Sequence, residues 1–233
     1  MTTRPASTQL CSAPALGGRR VGIVGAGIGG LTAALLLLRA GFDVRVFEQA
    51  PALREAGAGV QLSPNASRIL HRLGLADDLA GAGVKPAGWH QRRWYDGSTL
   101  LRAPLADLVE DAFAYPYYVI HRADLLYALA ASVPVGRIHL GHRLTGVCDR
   151  GDCVEARFAN GASAEVDVLV GADGIQSAVR RQLFGEESAP YSGCVAYRGL
   201  VPAKRVRHLG LDTAVQMWMG AASAFRALLC PGR

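Results

Sequence analysis

The sequence predicts an α/β fold in which a parallel strand–helix–strand layer is joined to part of an antiparallel sheet. The first observation is a short apolar run, 19–24, followed by a helical apolar stretch, 28–40, and a second strand, 43–47. The second is a set of later apolar segments separated by tight-turn signals such as Asn160-Gly161. Parallel strands need a crossover helix, whereas antiparallel strands can be joined by such turns. Both kinds of connection are therefore expected in one chain.

The composition is that of a folded globular chain. Of 233 residues, 50% are hydrophobic and 19% are charged, and the formal net charge is +6. This charge fits either a solvated basic surface or attraction for an anionic ligand such as a pyrophosphate. The sequence has no basic block or aromatic–basic pattern of a nucleic-acid protein. The apolar run 31–38 is too short to span a bilayer, so we expect no membrane segment.

The cysteines and the amino-terminal residues indicate the cellular compartment in which the chain is expected. The five cysteines are an odd number, and none of them has zinc or redox-motif spacing. We therefore predict no metal site and a reducing, cytoplasmic location. Residues 1–18 are rich in Ser, Ala, Pro and Gly and lack a secretory core, which predicts a disordered tail. Nothing in the sequence sets the oligomeric state.

The middle of the chain continues the α/β pattern. Ser63 can cap a helix that has Pro64 in its first turn and stops at Gly74. Strands at 89–95 and 99–101 flank Asp96-Gly97, a hairpin signal. The remaining predicted elements are a helix at 122–133, strands at 143–149, 154–159, 162–166 and 168–171, a helix at 177–183, and strands at 193–201 and 214–219.

The run from Gly25 to Gly30 contains the G-x-G-x-x-G pattern where a strand ends and a helix begins. In that context Gly25 permits the sharp turn, Gly27 lets the backbone approach a pyrophosphate, and Gly30 allows close helix–strand packing. The helix N-terminus adds free N–H groups and a partial positive charge. Glu48, at the end of the second strand, can accept both hydroxyls of an adenosine ribose. The unit is Rossmann-like, and the pattern alone does not distinguish NAD from FAD.

Several segments, in order between about residues 20 and 220, resemble class A flavoprotein monooxygenases of the salicylate and hydroxynicotinate hydroxylase group. The order of the segments is more specific than any one of them. They are residues 21–31 with 46–48, Arg54 with 57–66, residues 119–125, residues 167–180 and residues 197–202. The resemblance implies a glutathione-reductase-like FAD-binding layer, here joined to part of an antiparallel substrate-domain sheet. We expect the FAD-binding domain at 19–88 and 115–185, and the partial substrate domain at 89–114 and 186–233.

The resemblance also implies cofactor roles beyond the glycine-rich turn. Asp173 and Gly174 would meet FAD, although an Asp after a strand is also a common helix cap. Arg122 would bind FAD, or else pair with Asp124 at the surface. Gly59 would leave room for the flavin, or belong to a flexible loop. Arg54 would lie near the FAD phosphates, or be an exposed loop arginine.

Further side chains have two interpretations each. His121 is predicted to be a packed or surface histidine rather than a base, and Arg180 and Arg181 to form a solvated helix face. Four residues of the last predicted strands could line a substrate chamber by alternation, although aromatic strand residues are usually core. They are Tyr197, Arg198, Gln216 and Trp218. The sequence identifies no catalytic base.

The activity implied by the resemblance is hydroxylation of a small aromatic or hydroxyheteroaromatic substrate. NADH or NADPH would reduce FAD, and the reduced flavin would take up O2 as a C4a-hydroperoxide that hydroxylates the ring. The family's second Gly-Asp motif is not found, since the Gly-Asp pair here, Gly151-Asp152, lies in a predicted turn. We therefore expect a truncated form that does not turn over alone. The alternatives are a non-catalytic nucleotide-binding remnant and an NAD-dependent oxidoreductase of another class.

Overall fold

A computed structural model describes residues 18–53, 59–186, 190–197, 199–221 and 223–228. Its strands are β1 (Arg20–Val24), β2 (Asp43–Phe47), β3 (Gly59–Leu62), β4 (Gly83–Val84), β5 (Gly88–Arg93), β6 (Thr99–Pro104), β7 (Tyr118–His121), β8 (Ile138–His139), β9 (Leu144–Asp149), β10 (Val154–Phe158), β11 (Ser163–Val166), β12 (Val168–Gly171), β13 (Val215–Met219) and β14 (Ala224–Ala227). Its helices are α1 (Ile28–Arg39), α2 (Pro64–Arg72), α3 (Ala76–Ala82), α4 (Ala106–Phe113), α5 (Arg122–Ser132), α6 (Ala178–Phe184) and α7 (Ala203–Val206), with a 3₁₀ turn at Arg207–Leu209. No helix in these ranges is long and apolar enough to cross a membrane.

The predicted parallel layer is confirmed as a four-stranded sheet in the order β12-β1-β2-β8. Alternate residues of its central strands, such as Ile23 and Val46, are fully buried against α1 and α5. At one end Arg20 joins β1 to the start of β12, because its Nη2 donates to Asp167 Oδ1 at 2.7 Å and its backbone N to Asp167 Oδ2 at 2.7 Å. This pair lowers the pKa of the Asp167 carboxyl.

Three predicted antiparallel strands form a second, smaller sheet in the order β11-β10-β9. Its buried residues, Ala156 and Phe158 among them, pack with Phe47 and Val179 in a separate core cluster. Gly151-Asp152 makes the turn between β9 and β10, with Gly151 at φ +92°. The pair is therefore a hairpin turn, as its sequence context predicts.

A third, mixed sheet has the order β14-β13-β5-β6, and β3, β7 and β4 form a fourth sheet that is antiparallel. The predicted hairpin at 89–101 is confirmed, and β13 joins it in parallel to β5. The strand predicted at 193–201 is wrong: the described residues there form no strand, and Tyr197 is 95% exposed. β-branched and aromatic residues favour a strand only when a neighbour supplies hydrogen bonds and a packing surface.

Helix α2 begins and ends where the sequence predicts, but its cap differs. Ser63 occupies the N-cap position and Pro64 the first turn, and Gly74 follows with φ +82°. The Ser63 hydroxyl donates to Asn65 Oδ1 instead of accepting a backbone N–H, so it provides no side-chain cap. The sequence predicts that Ser63 lies at the start of the helix, but it does not predict which atom its hydroxyl bonds to.

Candidate dinucleotide site

Two glycines of the turn after β1 are required by packing. Gly25 has φ +105°, and its N donates to Phe47 O at 2.8 Å. A Cβ on Gly25 would lie 2.4 Å from Ala172 O, and a Cβ on Gly30 would lie 1.9 Å from Gly25 O. The turn therefore packs between β2, β12 and α1 only if both positions are glycine. The structure bears out the packing half of the predicted motif.

Gly27 differs from Gly25 and Gly30, because a side chain at this position would extend into open space. It is exposed, it is the N-cap residue of α1, and a Cβ there would meet no heavy atom within 4 Å among the described residues. The first turn of α1 carries no acidic residue, and no side chain in the described ranges caps it. The N–H groups in the first turn of α1 thus carry no side-chain cap, and the helix dipole favours an anion beside them.

Glu48 is fixed beside Gly27 by contacts on both its side chain and its backbone. Its Oε2 accepts from Ala26 N at 2.8 Å and its Oε1 from Ala50 N at 2.9 Å. Its N donates to His139 O at 2.8 Å, and its O accepts from His142 N at 2.8 Å. Each carboxylate oxygen keeps a further lone pair, so the group can still accept from a ligand.

A cavity of about 170 Å³ joins the two predicted residues. Its other walls come from small and apolar residues that sequence reasoning missed. The lining residues are Ala26, Gly27, Glu48, Ala50, Ala52, Leu53 and Leu126. Small side chains leave a flat apolar wall, and Glu48 adds a polar edge, the combination typical of ligand sites. No sequence pattern identifies these alanines, because the wall is made by a loop and a distant helix.

Asp173 follows β12 at the same edge of the sheet, and its carboxylate is hydrogen-bonded within the chain. Its Oδ1 accepts from Ser177 Oγ at 2.5 Å, and its Oδ2 from Ala178 N at 2.6 Å and Val179 N at 3.2 Å. Ser177 Oγ in turn accepts from Arg180 N at 2.9 Å. The structure therefore shows Asp173 as a cap of helix α6. Gly174 is exposed at φ +78°, which favours glycine.

The remaining predicted cofactor residues lie around the β3–β7 pair. Gly59 opens β3 opposite His121 in register, and Arg122 is the half-buried first residue of α5. Leu126, one turn further along α5, lines the cavity beside Glu48. The His121 ring is a helix cap, since its Nδ1 accepts from Ala123 N at 3.3 Å. Arg54, with 57–58, lies outside the described residues.

Of the four residues considered for a substrate chamber, Gln216 and Trp218 are the two that lie on a strand within the described residues. Tyr197 is outside any sheet, and Arg198 lies outside the described residues. Gln216 is 1% exposed. Its Oε1 accepts from Arg92 Nε at 3.1 Å, and its Nε2 donates to Asp212 Oδ1 at 2.7 Å. Trp218 stacks under the same arginine, 5.9 Å from its guanidinium carbon. Gln216 and Trp218 thus belong to an internal network. Arg180 and Arg181 are exposed, as predicted.

A parallel α/β layer with a glycine-rich turn and a carboxylate on one cavity is typical of dinucleotide-binding proteins, and comparison with known proteins identifies the family. A family model described as "FAD binding domain" matches residues 19–228. The chain belongs to this FAD-binding family, and the predicted α/β FAD-binding fold is confirmed.

The relatives are aromatic-ring monooxygenases. The chain is 45% identical over 201 residues to 3-amino-4-hydroxybenzoate 2-monooxygenase of Streptomyces cremeus, covering 86% of this chain and 51% of that protein. It is 38% identical over 200 residues to 6-hydroxynicotinate 3-monooxygenase of Bordetella bronchiseptica, covering 85% and 52%. The chain thus spans about half the length of the curated relatives it matches.

Among solved structures, Klebsiella pneumoniae HpxO complexed with FAD and uric acid superposes with a TM-score of 0.79. The match covers 92% of this chain and 54% of that one at 23% sequence identity. At this identity the similarity shows a shared fold and no more. It agrees with the FAD-binding architecture that the family match shows.

Proposed function

We propose that this chain is the FAD-binding part of an NADH- or NADPH-dependent monooxygenase that hydroxylates a small aromatic or hydroxyheteroaromatic substrate with O2. The observation that carries the proposal is the cavity shared by Gly27 and Glu48 at the N-terminus of α1. The residues present fit an adenine dinucleotide, since Gly27 leaves open space at the helix N-terminus and Glu48 has acceptor capacity left. The sequences of the relatives support the monooxygenase class.

Each part of the site has a binding or positioning task in this proposal. Gly27 admits the pyrophosphate to the N–H groups of α1, Glu48 accepts the ribose hydroxyls, and the alanines at 50 and 52 lie against the adenosine. We place Gly59 and Arg122, on β3 and α5, toward the flavin side, together with Arg54, Asp173 and Gly174. When bound, FAD supplies the redox chemistry between the nicotinamide and O2. The chain's own groups orient the cofactor and exclude water.

The proposal extends to the domain boundaries and the location. We assign 19–88 and 115–185 to FAD binding, and 89–114 and 186–233 to a partial substrate domain; the separate β14-β13-β5-β6 sheet supports this division. The odd cysteine count supports a reducing, cytoplasmic location. We identify no catalytic base.

The test compares FAD with NAD as stabilising ligands. A ligand that binds only the folded state raises the melting temperature by mass action, so FAD should raise it more than NAD at equal concentration. Gly27→Val, which adds bulk where the pyrophosphate approaches, should abolish the FAD shift while the unliganded protein still melts cooperatively. An equal shift with both ligands, or a larger one with NAD, would favour an NAD-dependent oxidoreductase instead.

A further inference from the structure

Two phenylalanine and two histidine rings form a packed cluster next to Glu48. Phe47, the residue before Glu48, stacks on His139 with 5.3 Å between ring centroids and packs on Phe158 at 4.7 Å. The His142 ring lies 5.7 Å from the His139 ring and 5.1 Å from the Phe158 ring. The two histidines therefore lie side by side within one cluster, in the loop and strand that follow α5.

The backbone of the same two histidines is hydrogen-bonded to the wall of the dinucleotide cavity. Glu48 N donates to His139 O at 2.8 Å, and His142 N donates to Glu48 O at 2.8 Å. Between them, Gly141 N donates to Ala50 O at 3.0 Å. Glu48 and Ala50 both line the cavity. A shift of the segment that carries the histidines would therefore displace two residues of the cavity wall.

The surroundings of the two rings suit neutral histidines. His139 Nε2 is buried and has no hydrogen-bond partner among the described residues. A charged imidazole carries a proton on both nitrogens, so this N–H would be buried without an acceptor in the described part of the chain, which costs free energy. His142 Nδ1 lies 2.7 Å from Leu140 O, which can only accept, so this ring would take its second proton at Nε2. Two charged rings 5.7 Å apart would also repel each other.

The charges around the cluster act in the same direction. Burial, with the charges of His142 and Arg45, lowers the pKa of His139. Arg45 comes from β2, and the other side chains that β2 and β10 stack against the rings are the two uncharged phenylalanines. The Glu48 carboxylate accepts from two backbone N–H groups at the cavity. Protonation is therefore opposed for as long as the segment keeps this position.

We propose that His139 and His142 are positioning residues of the dinucleotide site and make its affinity for FAD depend on pH. Their neutral rings pack together and keep Glu48 and Ala50 in place. When the rings gain protons, they separate, the segment moves, and Glu48 no longer meets the adenosine ribose. Protons and FAD therefore compete, so FAD binds tightly above the range in which histidine titrates and is released as the pH falls through it. This inference rests on the proposed function, because it needs FAD beside Glu48, and it adds regulation of that site by pH.

The experiment measures the affinity of the full chain for FAD between about pH 7.5 and about pH 5.5 by quenching of flavin fluorescence. We expect the dissociation constant to rise about ten-fold or more toward acid, a coupling of ordinary size for two linked sites. By the same linkage, FAD binding near about pH 6.5 should release protons, which calorimetry in two buffers of different ionisation enthalpy counts. Circular dichroism at each pH establishes that the chain is folded.

Two variants separate the cluster from a general effect of acid. His139→Phe keeps a flat ring beside Phe47 but takes up no proton. Its affinity for FAD should match that of the unaltered chain at neutral pH and fall about three-fold or less toward acid, because one of the two titrating rings is gone. His90→Phe is the matched control, since burial lowers the pKa of His90 too, but this residue lies on β5 in the third sheet. It should retain the full pH dependence.

Three results would overturn the inference. They are an affinity for FAD that does not change with pH, a change that occurs only where the chain unfolds, and a pH dependence that His139→Phe retains or His90→Phe abolishes. The first two need no variant, so they decide the matter even if a variant does not fold. Failure of FAD to bind at any pH would contradict the proposed function, whereas binding that is independent of pH would contradict this inference alone.

Discussion

Two turns follow neighbouring parallel strands at one edge of the first sheet, and they use their acidic residues differently. The turn after β1 places an exposed Gly27 beside the Glu48 carboxylate, which comes from the end of β2, and both residues line one cavity. The turn after β12 places the Asp173 carboxylate against Ser177, Ala178 and Val179, which together donate three hydrogen bonds. At both turns a strand end, a glycine and an acid come together, yet of the two acids Glu48 lines the cavity whereas Asp173 caps a helix.

An acid that follows a strand can therefore either bond to its own helix or keep acceptor capacity on a cavity wall, and the residue type alone does not decide between the two. An Asp one turn before a helix competes for that helix's own N–H groups, because they lie within its short reach. Glu48 comes from a different strand, so it meets only the backbone at Ala26 and Ala50 and faces the cavity between them. Three experiments test whether the two acids differ in this way.

The largest effect is expected within the first turn itself, from a matched pair of glycine substitutions. Gly30→Ala puts a Cβ 1.9 Å from Gly25 O, and we expect it to lower the free energy of unfolding by about 3 kcal/mol or more. Gly27→Ala meets open space, so its free energy of unfolding should change by no more than about 1 kcal/mol while its FAD affinity falls. Urea unfolding and FAD titration of both variants measure this. Equal destabilisation by the two would show that Gly27 is also a packing glycine.

The next effect separates the two acids. Asp173→Ala removes the hydrogen bonds at the start of α6, so we expect it to lower the free energy of unfolding by about 1–2 kcal/mol. Glu48→Ala should instead weaken FAD binding about ten- to a hundred-fold, the loss expected for charge-assisted hydrogen bonds to ribose. Unfolding and FAD titrations on both variants give the comparison. If Asp173→Ala weakens FAD binding as much as Glu48→Ala does, Asp173 is a cofactor ligand as well as a cap.

The smallest effect concerns the support of Glu48 at acid pH. His139, whose O accepts from Glu48 N, stacks on Phe47 at 5.3 Å between ring centroids. Burial, with the charges of His142 and Arg45, lowers the pKa of His139. Its neutral form therefore stabilises the fold fully above the unfolded pKa of about 6.5, and this contribution is lost as the pH falls through the lowered folded value.

The measurement is the melting temperature between about pH 7.5 and about pH 5.5, the range in which histidine titrates. The chain should lose stability toward acid, and His139→Phe should lose less of it. His90, whose pKa is also lowered by burial, is present in both proteins, so the difference reports on His139. An identical pH dependence in the variant would contradict this role.

Local pattern sufficed for the first strand–helix–strand unit. An apolar run, a glycine turn and a helical apolar stretch placed β1, α1 and β2 within about one residue of their bounds. The same holds for the packing of Gly25 and Gly30 and for the positions of Gly27 and Glu48 beside the turn, because these follow from local spacing; the cofactor roles of Gly27 and Glu48 stay predictions. Signals that act within a few residues can be recognised without the rest of the fold.

What could not be predicted depends on distant partners. Strand β14 has no alternating apolar pattern and exists because β13 offers it an edge. Helix α4 buries none of its residues, so it carries no core-facing signal. Leu126 reaches the cavity from α5, far along the chain from the alanines it meets there. The 193–201 segment has strand-like residues but no neighbour in the described structure with which to pair.

The pairing of β1 with β12 has a consequence for how the nascent chain matures. Arg20 and Asp167 are 147 positions apart, and Gly25 packs on Ala172 O. A ribosome releases β1 long before it releases β12, so the glycine turn emerges early but lacks one of its walls. Until then β1 keeps an unpaired edge that can associate with other chains. The part of the molecule that is easiest to recognise in the sequence therefore reaches its final shape only after a strand that is made about 150 residues later has emerged.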